Sequence, residues 1–167
     1  IKAGAVHNEP PEVWNLSFYS CKESGNMACK VLVVDDDAEI REIIETLLSM
    51  RGYDVYSAAD GISALAQVKS KRPSLMILDV SMPRMSGFQT CQAIRRLKGY
   101  EDIPVIFLTA KKSEQDRKFG ERIGGDAYLT KPYKPEELLE NVEHLLEIHP
   151  PKDDGDPDIR TDASWVD

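Results

Sequence analysis

Four positions in this chain place a reactive side chain at the end of an apolar run. Asp35-Asp36-Asp37 follows KVLVV (30–34), Asp79 ends LMILD (75–79), Thr109 ends PVIFLT (104–109), and Lys131 follows AYLT (127–130). Crowded carboxylates repel one another, so a divalent cation is the expected occupant. Oxygen-only ligands favour Mg²⁺ over zinc, and Mg²⁺ pairs well with phosphoryl oxygens. A carboxylate beside such an ion can attack phosphorus and become an aspartyl phosphate. The hydroxyl of Thr109 and the ammonium of Lys131 would then neutralise the remaining phosphoryl charge.

That chemistry requires distant residues to share one rim, and the hydrophobic pattern supplies the scaffold. The runs 30–34, 75–79 and 104–109 are short and apolar throughout, the mark of buried parallel strands. Residues 53–58 and 127–130 read as two further strands. Between them lie helical patterns. Ile40, Ile43, Ile44, Leu47 and Leu48 form one apolar stripe, and Gly52 ends that helix. Residues 61–71 form a second helix, and 87–98 a third with Phe88, Cys91, Ile94 and Leu97 inward. A polar fourth spans about 113–122, and Leu138, Leu139, Val142, Leu145 and Leu146 mark the last. Five βα units predict a parallel sheet with helices on both faces, too few for an eight-fold barrel. In open sheets of this kind ligands bind at the carboxyl ends of the strands. The four reactive positions lie there.

The segments VLVVDDD (31–37), LMILDVSMPRMSGFQ (75–89), VIFLTA (105–110) and DAYLTKPYKPEEL (126–138) resemble, in order and spacing, the receiver domains of two-component response regulators. The resemblance covers about Lys30 to Leu146. It implies a flavodoxin-like, doubly wound (βα)5 fold with strand order 2-1-3-4-5. It also implies Asp79 as phosphoacceptor, Asp35 and Asp36 as the acidic pair for Mg²⁺, and the backbone carbonyl of Ser81 as a further metal ligand. Thr109 looks like the switch hydroxyl, Lys131 the site lysine and Tyr128 the aromatic switch. The Lys131-Pro132 bond is often cis in the family. Asp37, a third acidic residue, is expected to cap the first helix. Gly124-Gly125 stands where the family usually has Gly-Ala, which should loosen the approach to the last strand. The implied partners are a sensor histidine kinase or histidine phosphotransfer protein, and a downstream protein on the 113–149 face. A phosphorylation-dependent dimer is a further expectation.

The domain is expected to span 27–149. Residues 1–26 show no sustained period. Because Met27 stands just before the first strand, they are read as added residues, as part of a longer chain, or as a loosely docked extension. Residues 150–167, with six Asp against Lys152 and Arg160, are expected to be an acidic disordered tail. The net charge is −8, so the chain lacks the basic footprint of direct nucleic-acid binding. Cys21, Cys29 and Cys91 include no C-x-x-C and suggest neither a zinc site nor a disulfide framework. No apolar run approaches the roughly 18 residues of a membrane span, and no secretory signal stands near Ile1. A cytoplasmic setting is expected. His7, His144 and His149 lack the context of a phospho-donor histidine.

Two alternatives to a single-domain regulator stand beside it. One is a receiver cut from a hybrid kinase or multidomain regulator. The other is a haloacid-dehalogenase-type phosphatase, whose D-x-D motif Asp35 and Asp37 would satisfy. Ala38-Glu39 does not supply that family's following Gly-Thr or Gly-Val, and the chain leaves no room for a cap. No G-x-x-x-x-G-K-[ST] occurs, which argues against a P-loop nucleotide site.

Overall fold

A computed structural model describes residues 29–110 and 114–151. The expectations for 1–26 and for most of the 150–167 tail lie outside the described residues, as does the start of the domain at 27. In chain order the elements are β1 (Lys30–Val34), α1 (Ala38–Ser49), β2 (Asp54–Ala58), α2 (Gly61–Lys71), β3 (Leu75–Asp79), α3 (Gly87–Arg95), β4 (Val105–Thr109), α4 (Glu114–Arg122), β5 (Ala127–Thr130) and α5 (Pro135–Ile148). The strands form one parallel sheet in the order β2-β1-β3-β4-β5. This is the expected order.

Alternation along the central strands divides the core into two layers. Val31, Val33, Leu75, Ile77, Ile106 and Leu108 pack with Ile44 and Leu48 of α1 and with Leu138, Val142 and Leu145 of α5. Their neighbours Leu32, Val34, Met76, Leu78, Val105 and Phe107 pack with Ala64 and Val68 of α2 and Cys91 and Ile94 of α3. Both faces of β1, β3 and β4 are covered, which is why these strands read as unbroken apolar runs. Cys29, buried beneath the first layer, is disulfide-bonded, a link the cysteine spacing did not announce. Cys91 is free and packs as a small hydrophobe.

Local chemistry starts the helices where the strands end. The Asp37 carboxylate accepts from the backbone N–H groups of Glu39 and Ile40 and so caps α1. Asp60 caps α2 through Ser63, and Ser86 with Gln89 forms a capping box on α3. Lys131-Pro132 is cis.

Three further expectations need correction. Ile43 is 62% exposed, because the α1 stripe facing the sheet runs through Ile40, Ile44, Leu47 and Leu48 and leaves Ile43 at its edge. α3 stops at Arg95 rather than 98, where the Arg96 N–H turns back to Ala93 and Ile94. The Gly124-Gly125 pair does not loosen the chain. The Gly125 N–H donates to the Gly120 carbonyl at 2.9 Å, and a Cβ on Gly125 would stand 2.5 Å from the Phe107 ring. The phenyl group fills the space an alanine methyl would take. Gly125→Ala should therefore cost about 1–3 kcal/mol, the usual scale of overpacking. A urea midpoint equal to the parent's would refute that account of the glycine.

Candidate phosphoryl and metal site

The carboxyl ends of β1, β3, β4 and β5 form one edge of the sheet. There Asp79 is 4% exposed and Asp35 1% exposed, while Asp36 is exposed. Carboxylate oxygens of Asp35, Asp36 and Asp79 lie within 4.8 Å of one another. Lys131 bridges two of them: its ammonium donates to Asp35 Oδ2 and to Asp79 Oδ1, both at 2.9 Å. The Lys131 N–H also donates to the Thr109 carbonyl at 2.7 Å, which brings the end of β5 against the end of β4.

The three carboxylates are not equivalent. Asp35 is committed to the protein, since its Oδ1 accepts from the Asp37 N–H at 2.9 Å while Oδ2 holds Lys131. Asp36 makes no side-chain hydrogen bond or ion pair with the described residues, so its carboxylate is available. Asp79 has a pKa above the ordinary carboxylate range. Burial is the main cause, the hydrogen bond from Lys131 opposes it, and the charges of Asp35 and Asp36 add to it. Lys131 is also shifted up: burial pulls it down, but its bonds to Asp79 and Asp35 outweigh that. The bridge thus offsets, without cancelling, the cost of ionising Asp79. An all-oxygen set with one uncommitted carboxylate suits a hard cation such as Mg²⁺.

Glycine 87 is a site residue the sequence reading passed over. A Cβ on it would lie 2.2 Å from the Asp79 carbonyl oxygen, and its N–H donates to the Val80 carbonyl at 3.1 Å. Only glycine lets the start of α3 press against the back of the Asp79 backbone. Its place in MPRMSG was the available signal.

The remaining expected residues surround this centre. Ser81 is exposed, two residues past Asp79. Thr109 is fully buried at the end of β4. Tyr128 is half-buried with its hydroxyl out of solvent, and its ring lies 6.3 Å from that of Phe107. Burial raises the Tyr128 pKa, against the opposite pull of the Thr109 hydroxyl. α4 is shallowly seated over this region: Gly120 is its buried residue, and Phe119 stacks edge-on against Phe88 at 5.2 Å while remaining 38% exposed.

The strands, the helices on both faces of the sheet and the acidic, lysine-bridged rim define a doubly wound α/β domain with a candidate site at the carboxyl ends of its strands. A family model described as the response regulator receiver domain matches residues 31–143. The response regulator MprA of Mycobacterium tuberculosis is 43% identical over 128 residues, covering 76% of this chain and 54% of that protein. Chemotaxis protein CheY4 of Vibrio cholerae is 38% identical with a TM-score of 0.69, covering 72% of this chain and 100% of that one. The signal receiver domain of a signal transduction histidine kinase from Syntrophus aciditrophicus is 30% identical with a TM-score of 0.69, covering 76% and 96%. The chain belongs to the response regulator receiver family. It spans about half the length of the curated relatives it matches. Receiver domains are signalling domains rather than enzymes in the ordinary sense, and this assignment replaces the phosphatase alternative. Among the described residues no helix is long and apolar enough to cross a membrane.

Proposed function

We propose that this domain accepts a phosphoryl group on Asp79 from a histidine kinase or histidine phosphotransfer protein and relays the event by protein contact. The observation that carries this reading is the Lys131 bridge between Asp35 and Asp79, with Asp36 open beside them. Asp79 supplies the attacking oxygen. Asp35, Asp36, Asp79 and the Ser81 carbonyl would hold Mg²⁺, whose role when bound is to screen phosphoryl charge. Lys131 can turn from the carboxylates toward the phosphoryl oxygens, and the Thr109 hydroxyl can donate to them. Thr109 moving toward Asp79 would leave room for the Tyr128 ring to turn inward. The shallowly packed α4 would respond with it, because few buried contacts hold it. The output surface is then 113–149, free to meet a downstream protein or a second copy of the chain.

The receiver unit is proposed as 27–149, working in the cytoplasm as a single-domain regulator without direct contact to nucleic acid. The 54% coverage of MprA favours a second reading, a receiver module of a longer regulator. Both place the same chemistry at Asp79.

Amide NMR with Mg²⁺ and beryllofluoride, a phosphoryl mimic, tests the relay. Shifts are expected around Asp36 and Asp79 and also through 114–149. Changes confined to the loops beside Asp79 would leave a phosphoryl-binding domain that relays nothing by this route.

A further inference from the structure

Arg41 is a cation one position beyond the first turn of α1, near the helix end where the macrodipole favours anions. Its side chain turns back toward the N-terminus, the direction helical side chains take. There Nη1 donates to the main-chain carbonyl of Asp35 at 2.7 Å. That carbonyl belongs to the planar peptide unit joining Asp35 to Asp36. Fixing its oxygen fixes the plane and therefore the point from which the Asp36 side chain departs. Asp35 needs no such help, because Asp37 and Lys131 hold its carboxylate. Asp36 has no side-chain partner of its own among the described residues. Its aim depends on the backbone beneath it.

We infer that Arg41 is a positioning residue for the metal loop, holding the Asp35–Asp36 peptide so that the Asp36 carboxylate faces the cation. The inference rests on the Mg²⁺ reading above and assigns a role to a residue outside the ligand set. Two effects of Arg41 have opposite signs, and that makes it testable. As a nearby positive charge it repels Mg²⁺, so charge removal alone would tighten binding. As a support for the loop it favours Mg²⁺, so its removal would weaken binding.

The experiment is a Mg²⁺ titration followed by amide shifts of Asp36 and Asp79, with unfolding midpoints recorded without metal. Arg41→Met should weaken Mg²⁺ about ten-fold, at the low end of what loss of an outer support costs a metal site. Arg41→Lys keeps the charge and one donor and should recover most of the loss. Arg41→Gln takes the place of the Met variant if that protein does not fold. A parent chain without Mg²⁺-dependent shifts would remove the metal reading and this inference together. A parent that binds Mg²⁺, beside a folded Met or Gln variant that binds equally well or more tightly, would overturn the inference alone. So would a Lys variant no better than Met.

Discussion

Asp79→Asn is expected to abolish phosphoryl incorporation completely. Incubated with acetyl phosphate and Mg²⁺, the parent should gain one acid-stable, base-labile group and then stop, and chelation of the metal should prevent the labelling. An amide lacks the charged oxygen that attacks phosphorus, so the variant has no substitute nucleophile at the end of β3. Labelling of the variant at the parent's level would refute the assignment of Asp79. The same substitution has a second, independent signature. The folded-state pKa of Asp79 is raised, mainly by burial, so the folded chain holds its proton to higher pH than the unfolded chain. Stability from this group is therefore complete below the ordinary carboxylate value, about 4, and is lost as pH rises through the raised folded value. Without metal, Asp79→Asn should be more stable than the parent near neutrality, and the gap should close in acid. Urea unfolding at several pH values measures this.

Lys131→Met should produce a large change in stability. It leaves Asp35 and Asp79, both buried, without the ammonium that now contacts each at 2.9 Å. Removing one partner of a fully buried pair costs about 3–5 kcal/mol. The Lys131 side chain is 26% exposed, and water takes over part of its role. A loss of about 2 kcal/mol at neutral pH is expected. The sign of its pH dependence follows from the carboxylates. With the bridge gone Asp79 loses the donor that opposes its raised pKa, so the variant should pick up a proton there and regain stability as pH falls. On the alkaline side, the raised pKa of Lys131 makes its stabilisation full below the ordinary lysine value and lost only as pH rises through the higher folded one. Mg²⁺ supplies positive charge to the same oxygens and should restore stability to the variant, rising with the logarithm of its concentration once the site is mostly filled. A variant as stable as the parent at neutral pH would show that the bridge contributes nothing to the metal-free domain.

The hydrophobic pattern made most of the fold legible. Strands covered on both faces need no polar positions, so KVLVV, LMILD and VIFLT stand out as runs. The strand order came from the family resemblance, not from the periodicity, because no local pattern says which strands are neighbours. Helix ends were less legible. α3 stops at Arg95 because its backbone turns back on Ala93 and Ile94, although Leu97 still continues the apolar spacing. The consequence of Gly125 is not legible in the sequence because Phe107 lies on β4, outside the turn that holds the glycine, and only packing reveals that its ring takes the missing methyl's place.

At the site, the sequence by itself determined which residues stand at the strand ends, Asp35, Asp36, Asp79, Thr109 and Lys131, and the local cap formed by Asp37. Those are properties of neighbours in the chain. Only the tertiary structure decided how the oxygens are divided. Lys131 meets Asp35 and Asp79 across long stretches of chain and commits one oxygen of each. The Asp37 N–H takes another from Asp35, and Asp36 is left open. The three carboxylates look interchangeable in sequence because their chemistry is the same. They differ in the folded domain because hydrogen bonds are short and directional, and each oxygen's availability depends on which donor the fold brings within about 3 Å.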